Sequence, residues 1–443
     1  MTDRWSTEQV LALAPDASSQ KAARGLANPT RWSGGGHADG DPPLLWGLCA
    51  GSGKNPYQAC VDLVEPAYRC SCPSRKFPCK HALALLLLWS SGRLPSGDPP
   101  DWVEEWQTSR AARAARAAAT QAKRAAGGPP SDPEGSRKRA AKREQRVGSG
   151  ITELDRWLGD QIRQGLSSQQ QAGYGQIDTV AARLVDAQAP AAASAVRRLA
   201  AITGSGPEAA ARMLEELSLL RLLATAYRRI DELPSDLATT VRARIGFTVG
   251  NDEVLASERI RDRWQVLGLL DEPDERLTVR RVWLYGVATG RPALVLSFAA
   301  PGQALSVDLV PGTVLEADLA FHPGSLPLRA VVAERYGTAV PCRDITGAVG
   351  IADALSGYAT ALAAEPWLER WPLLLSQVAF SYHRDNWYVV DTAGDALRLR
   401  SADEELWRQV AVAGGEPVTA FGEWDGTALR LAGVRHGERM VTA

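Results

Sequence analysis

The longest unbroken apolar run in the chain is "ALALLLLW", Ala82 to Trp89. It has no polar face, so it predicts a helix buried on all sides. From Ile151 to about Leu237 the periodicity is helical and amphipathic. "LDRWLGDQIRQGL" places Leu154, Trp157, Leu158, Ile162 and Leu166 on one face. "VAARLVDAQAP" repeats this with Val180, Leu184 and Val185, and Pro190 is expected to end or kink that helix. Pro207 opens a long helical pattern reaching Ile230. After about Arg261 the period changes to that of strands. "RRVWLYGVATG", "RPALVLSFAA", "ALSVDLVPG" and "TVLEADLAF" are short, β-rich and divided by Gly/Pro turns. Two hairpins are predicted, one turning at Arg384 to Asn386 and one at Asp425-Gly426. A helical insert is predicted over about 351–375.

These patterns divide the chain into four parts: a mixed domain over 1–108, a linker over 109–148, an all-α domain over 149–260 and a β-rich region over 261–443. The linker is compositional. Arg110 to Arg146 carries eleven Lys/Arg against three Asp/Glu, an excess of eight positive charges, and has almost nothing to bury. It is broken by Gly127-Gly128-Pro129-Pro130 and is expected to be disordered, or helical only in pieces.

Composition narrows the class. At 443 residues, 45% hydrophobic and 23% charged, the chain can bury ordinary cores. Its net charge of −1 gives no global field toward nucleic acid or membrane, so such a partner would have to meet a local patch. The N-terminal stretch lacks the basic and apolar regions of a signal peptide. No apolar run approaches the roughly 18 residues of a membrane span. The expected location is the cytoplasm, with no membrane partner. Six cysteines are too few for a disulfide scaffold.

Three of those cysteines stand just before the apolar run, in "RCSCPSRKFPCKH", Arg69 to His81. Residues i and i+2 of a strand face the same way. Cys70 and Cys72 at a strand end can therefore share a partner. Two positions apart on a helix they would diverge, so Cys79 must precede the helix and His81 must lie in its first turn. Pro78 favours that boundary. The prediction is a ββα unit with a six-residue loop and a helix over about Lys80 to Trp89.

Three thiolates and one imidazole match a closed, structural zinc site. With a zinc ion its charge is −1, and Arg69, Arg75, Lys76 and Lys80 stand beside it to offset that charge or to contact phosphates or a partner. A redox pair fits less well, because C-x-C is not the C-x-x-C motif. A catalytic zinc needs an open position, and here four ligands fill the shell.

C-x-C-x(n)-C-x-H followed by an apolar helix resembles the SWIM-type zinc finger of bacterial proteins. "LWGLCAGSGKNPYQACVDL", "WLGDQIRQGL" and "RLVDAQAP" are similar to segments of that family. The resemblance implies one structural Zn2+ on Cys70, Cys72, Cys79 and His81, within a finger over about 57–92. It also implies DNA or protein contacts for the finger. Such proteins often accompany an AAA ATPase and a von Willebrand factor A-type protein, which implies an adaptor role.

The expected fold is thus multidomain α+β: a small ββα zinc domain, a basic linker, an all-α middle and a mainly antiparallel β region with a helical insert. The expected function is a protein-interaction adaptor, with nucleic-acid binding through the finger and linker as the alternative. No enzyme is expected. "GSGK" at Gly51 to Lys54 lacks the first glycine and the Ser/Thr of a phosphate loop and reads as a turn. "HRDN" at His383 to Asn386 lacks the spacing of a kinase loop. Cys49, Cys60 and Cys342 read as buried apolar side chains, and His37, His322 and His436 as surface loop residues. Trp102 and Trp106 are candidates for an exposed docking edge.

Overall fold

The computed structural model describes residues 4–40, 43–51, 53, 55–64, 66–125, 133–164, 174–202, 209–274, 277–300, 303, 305–400, 404–437 and 439–442. Its N-terminal part is a four-stranded antiparallel meander, β1 Trp32–Ala38, β2 Leu44–Cys49, β3 Tyr57–Asp62 and β4 Ala67–Cys70. Helices α1 Thr7–Ala12 and α2 Ala17–Leu26 precede it and α3 Lys80–Ser90 follows.

Both faces of this sheet are covered, and the alternation of side chains decides by what. Leu45, Ala59, Val61 and Tyr68 face α3. Leu44, Trp46 and Cys60 face the other way, onto Val103 and Trp106 of α4 Asp101–Ala125. Trp106 is therefore buried and Trp102 packs beside it, so neither forms an exposed docking edge. α3 is buried on every side, as its composition requires. Burying each of Leu83, Leu85, Leu86 and Leu88 contributes roughly 1.5–3 kcal/mol.

The segment expected to be a linker, disordered or helical only in pieces, forms parts of two helices in its described residues. α4 runs to Ala125 and α5 spans Pro133–Gln164. Ala, Arg and Lys are strong helix formers. The start of α4 is also fixed by its packing on the sheet and by an ion pair from Arg110 to the buried Asp62. The Gly127 to Pro130 break lies outside the described residues.

The middle of the chain is a bundle of α5, α6 Tyr174–Asp186, α7 Pro190–Ile202, α8 Ala209–Arg228 and α9 Ser235–Ile245. Its core takes Val147, Ile151, Leu154 and Leu158 from α5 and Ile177, Ala181 and Leu184 from α6. Three details differ from the sequence expectation. The buried stripe of α5 continues to Gln161, which leaves Ile162 61% exposed. Val185 is exposed because Ala181 and Leu184 hold the buried positions of α6. Pro190 starts α7 at its first position, where its missing N–H costs nothing, and does not end a helix. Leu166 and Pro207 lie outside the described residues.

After a short α10 Asn251–Leu255, two sheets follow. The first comprises β5 Arg259–Asp274, β6 Leu277–Gly286, β7 Pro292–Ala299, β8 Thr313–Phe321 and β9 Arg329–Arg335, with β10 Val340–Pro341 on the edge of β8. β9 pairs with β8 antiparallel and with β7 parallel, which closes a five-stranded barrel in the cyclic order β5-β6-β7-β9-β8.

The second sheet comprises β11 Trp371–His383, β12 Asn386–Val390, β13 Ala396–Arg398, β14 Val418–Trp424, β15 Leu429–His436 and β16 Arg439–Thr442. A parallel bridge from Leu399 to Leu429 brings the end of β13 against β15 and repeats the same cyclic order. Each barrel has a long first strand that bends at an irregularity, at Val266–Gly268 in one and Leu375–Val378 in the other. Five strands closed in this order form a Greek-key barrel of the OB type.

The predicted turns at Arg384 to Asn386 and at Asp425-Gly426 join β11 to β12 and β14 to β15. The predicted insert is shorter than expected: helix α11 covers Ile351–Ala364, and β11 starts at Trp371. Helix α12 Glu404–Ala413, between β13 and β14, was not predicted, although Leu406, Gln409 and Ala413 give its buried face.

Candidate metal centre

Cys70 is the last residue of β4, and Cys72 stands two positions on. Cys79 is the N-cap of α3 in extended conformation, and His81 lies in the helix's first turn. Strand end, loop and helix entry thus converge as the spacing requires. The three Sγ atoms and one ring nitrogen of His81 lie within 4.8 Å of one another. Cys70 Sγ and His81 Nδ1 are 3.7 Å apart. For sulfur at ~2.3 Å from zinc, the edge of a ligand tetrahedron is about 3.8 Å. Among the described residues this is the one cluster of three or more His, Cys, Asp or Glu side chains close enough to share an ion.

Without a cation the site favours one thiolate: the hydrogen bond with Cys79 pushes the Cys70 thiol up and burial pushes the Cys72 thiol up, while Cys79 is lowered. Backbone N–H groups of Cys72, Ser74 and Ala82 donate to the sulfurs of Cys70, Cys72 and Cys79 respectively. Cys79 is held toward the thiolate, first by a hydrogen bond from Cys70, and then by His81 and by the Ala82 N–H at the helix start, against the opposing effect of burial. Burial and backbone donors together favour a cation that neutralises the group. His81 is only 4% exposed, and Tyr57 of β3 packs over its ring with centroids 4.8 Å apart. Sequence reasoning missed Tyr57, because its register opposite the finger comes from sheet pairing.

The four flanking cations do not act together. Lys76 Nζ is 2.7 Å from Asp16 Oδ2 and also donates to Ser18. Arg69 reaches the carbonyl of Trp102. Arg75 and Lys80 are exposed. The structure therefore ties Lys76 and Arg69 to the domain and leaves Arg75 and Lys80 at the surface.

Three thiols and one imidazole, closed on all sides by protein ligands, fit a single structural Zn2+. Residues 60–89 match the family profile of the SWIM zinc finger. The chain carries a SWIM zinc finger. Residues 142–245 match the SWIM-associated four-helix bundle domain, which covers the core-forming part of α5 through α9. No curated protein and no solved structure matches the chain.

The remaining candidates behave as structural residues. The turn "GSGK" lies between β2 and β3, with Ser52 and Lys54 outside the described residues. "HRDN" forms the β11–β12 turn, with Arg384 and Asp385 both at positive φ. Cys49 and Cys60 are fully buried, and Cys342 is half-buried. His37 is a buried strand residue with Nδ1 2.9 Å from the carbonyl of Pro95, not a surface loop residue. His322 is half-buried, and burial and Arg329 push its imidazole down to about 4.

Proposed function

We propose that this chain is a non-enzymatic adaptor whose zinc holds a docking module in shape. The observation that carries this reading is the closed ligand set. The four side chains lie close enough to fill a tetrahedral shell around one ion, which would leave no position for a substrate or an activated water. The ligands are also part of the hydrophobic core of the first domain, where Cys79 is buried and Cys70 and Cys72 pack against it. Such a metal contributes folding energy.

The partner implied by the family resemblance is an AAA ATPase or a von Willebrand factor A-type protein, met in the cytoplasm. The test is capture from native lysate with the tagged full-length chain, followed by mass spectrometry. A protein of one of those two classes should be recovered with the zinc-loaded chain and lost with a Cys79→Ala, His81→Ala variant. Recovery of neither class, or equal recovery by the variant, overturns the reading.

The alternative, nucleic-acid contact at the finger, is less well supported. Lys76 is engaged by Asp16 and Arg69 by a backbone carbonyl, which leaves Arg75 and Lys80 as the exposed cations of the four.

A further inference from the structure

The two barrels share one connectivity but differ in one face. In an OB-type barrel the ligand surface is the outer face of the second and third strands. In the first barrel that face is closed. Trp283 of β6 is 1% exposed and packs with Leu267, Leu374, Phe421 and Ala432, the last three from the second barrel. Trp283 Nε1 and Arg281 Nε both donate to Glu423 Oε1 at 2.7 Å, so a carboxylate of β14 occupies the surface.

The corresponding face of the second barrel is open. Val389 and Leu397 are cross-strand partners pointing into the barrel, so their neighbours Tyr388 and Arg398, also partners, point outward. Arg398 is exposed and makes no ion pair among the described residues. Two positions on, Arg400 also faces outward, its side chain 59% exposed and paired with Asp425. Arg430 of β15 also points out of the core, but it is half-buried opposite Glu423 and donates to the Asp271 carbonyl of the first barrel, so it borders the row without belonging to its open part. Partial burial and repulsion from Arg370 and Arg430 hold the Arg400 guanidinium below its ordinary range. A phenol ring beside a row of guanidinium groups provides stacking and phosphate contacts together, the two components of single-strand binding.

We propose that the outer face of β12 and β13 binds single-stranded nucleic acid, with Tyr388 stacking on a base and Arg398 and Arg400 holding flanking phosphates. This surface is separate from the finger and does not depend on the adaptor reading.

The test uses the full-length zinc-loaded protein and a labelled oligothymidylate of about 12 nucleotides, followed by fluorescence anisotropy. Binding should weaken steeply with salt. Tyr388→Ala should weaken it about tenfold. Arg398→Gln should lower the salt slope by about one. Arg398 is exposed and Tyr388 half-buried, and unchanged thermal melting would show that the variants fold. A paired change on α5, Arg137→Gln with Arg139→Gln, should leave the affinity in place. Three outcomes overturn the proposal: no binding by the wild type, equal binding by the Tyr388 and Arg398 variants, or loss of binding only in the α5 variant. Equal affinity for a duplex of the same length also overturns it, because paired bases offer no free face to Tyr388.

Discussion

Trp5 Nε1 donates to the carbonyl of Ala339 at 2.9 Å, joining residues 334 positions apart in the chain. Gln9 makes a parallel link to the carbonyl of Gly312 at 2.6 Å. Val307 and Val310, from the β7–β8 connection, enter the same core as α3. The zinc domain and the first barrel are therefore packed as one body. Trp5→Ala removes a buried ring, its hydrogen bond and an edge contact with Trp89, and should cost about 3–5 kcal/mol. Chemical denaturation monitored by circular dichroism should show the midpoint falling. An unchanged midpoint would mean that the two domains are not coupled through this side chain.

Zinc content should be about one per chain, and it should fall with pH. Metal ligands must be deprotonated, so acid competes with the ion for the three thiolates and for His81. Thermal stability of the first domain should fall in parallel as pH drops, and chelation at neutral pH should reproduce the loss. The Cys79→Ala, His81→Ala variant should contain no zinc. Stoichiometric metal in that variant would remove the assignment.

Asp16 connects the finger loop to α2. Its carboxylate caps that helix by accepting from the Ser19 N–H at 2.7 Å and pairs with Lys76. Lys76, together with Ser18 and Ser19, holds its carboxyl well below the usual carboxylate range. A depressed carboxyl stabilises the fold above its unfolded value near 3.9 and loses that contribution as pH falls. The pair is half-exposed, so most of the effect rests on the cap. Asp16→Ala should cost about 1 kcal/mol at neutral pH, and the difference from wild type should shrink in acid. A pH-independent difference would assign the loss to something other than this carboxylate.

Glu423 is 3% exposed and accepts from Trp283 and Arg281, with Arg370 Nη1 3.4 Å from its other oxygen. Removing it leaves the Arg281 guanidinium and the Trp283 indole N–H at the junction of the barrels without their acceptor, while Arg370 keeps its pair with Glu272. Glu423→Ala should cost about 3–5 kcal/mol, the range for breaking a buried pair. Glu423→Gln should cost less, because its amide oxygen still accepts. Similar melting of both variants would show that charge at this position does not hold the barrels together.

Much of this molecule is legible in its sequence wherever local spacing decides the outcome. Cys70, Cys72, Cys79 and His81 follow from strand and helix geometry alone, and the turns at Arg384 and Asp425 follow from their residue types. What failed was decided by contacts between distant segments. Nothing near Trp102 and Trp106 shows that Leu44, Trp46 and Cys60 present an apolar face for them. Nothing near Tyr57 places it over His81. The closure of each barrel rests on parallel pairs, Leu294 with Arg329 and Leu399 with Leu429, that no local pattern encodes.

The stripe on α5 gives the sharpest check of such a difference. Apolar spacing alone puts both Leu158 and Ile162 on the core face. In the structure the buried positions are Val147, Ile151, Leu154, Leu158 and then Gln161, a step of alternating four and three, so Ile162 turns to the surface. Leu158→Ala should therefore cost about 2–5 kcal/mol, the range for truncating a buried leucine. Ile162→Glu, one helical turn away, should stay within about 0.5 kcal/mol of wild type. Both are measured by urea denaturation of the full chain. If Ile162→Glu proves as damaging as Leu158→Ala, the helix is rotated relative to this description, and the core face assigned from apolar spacing is the correct one.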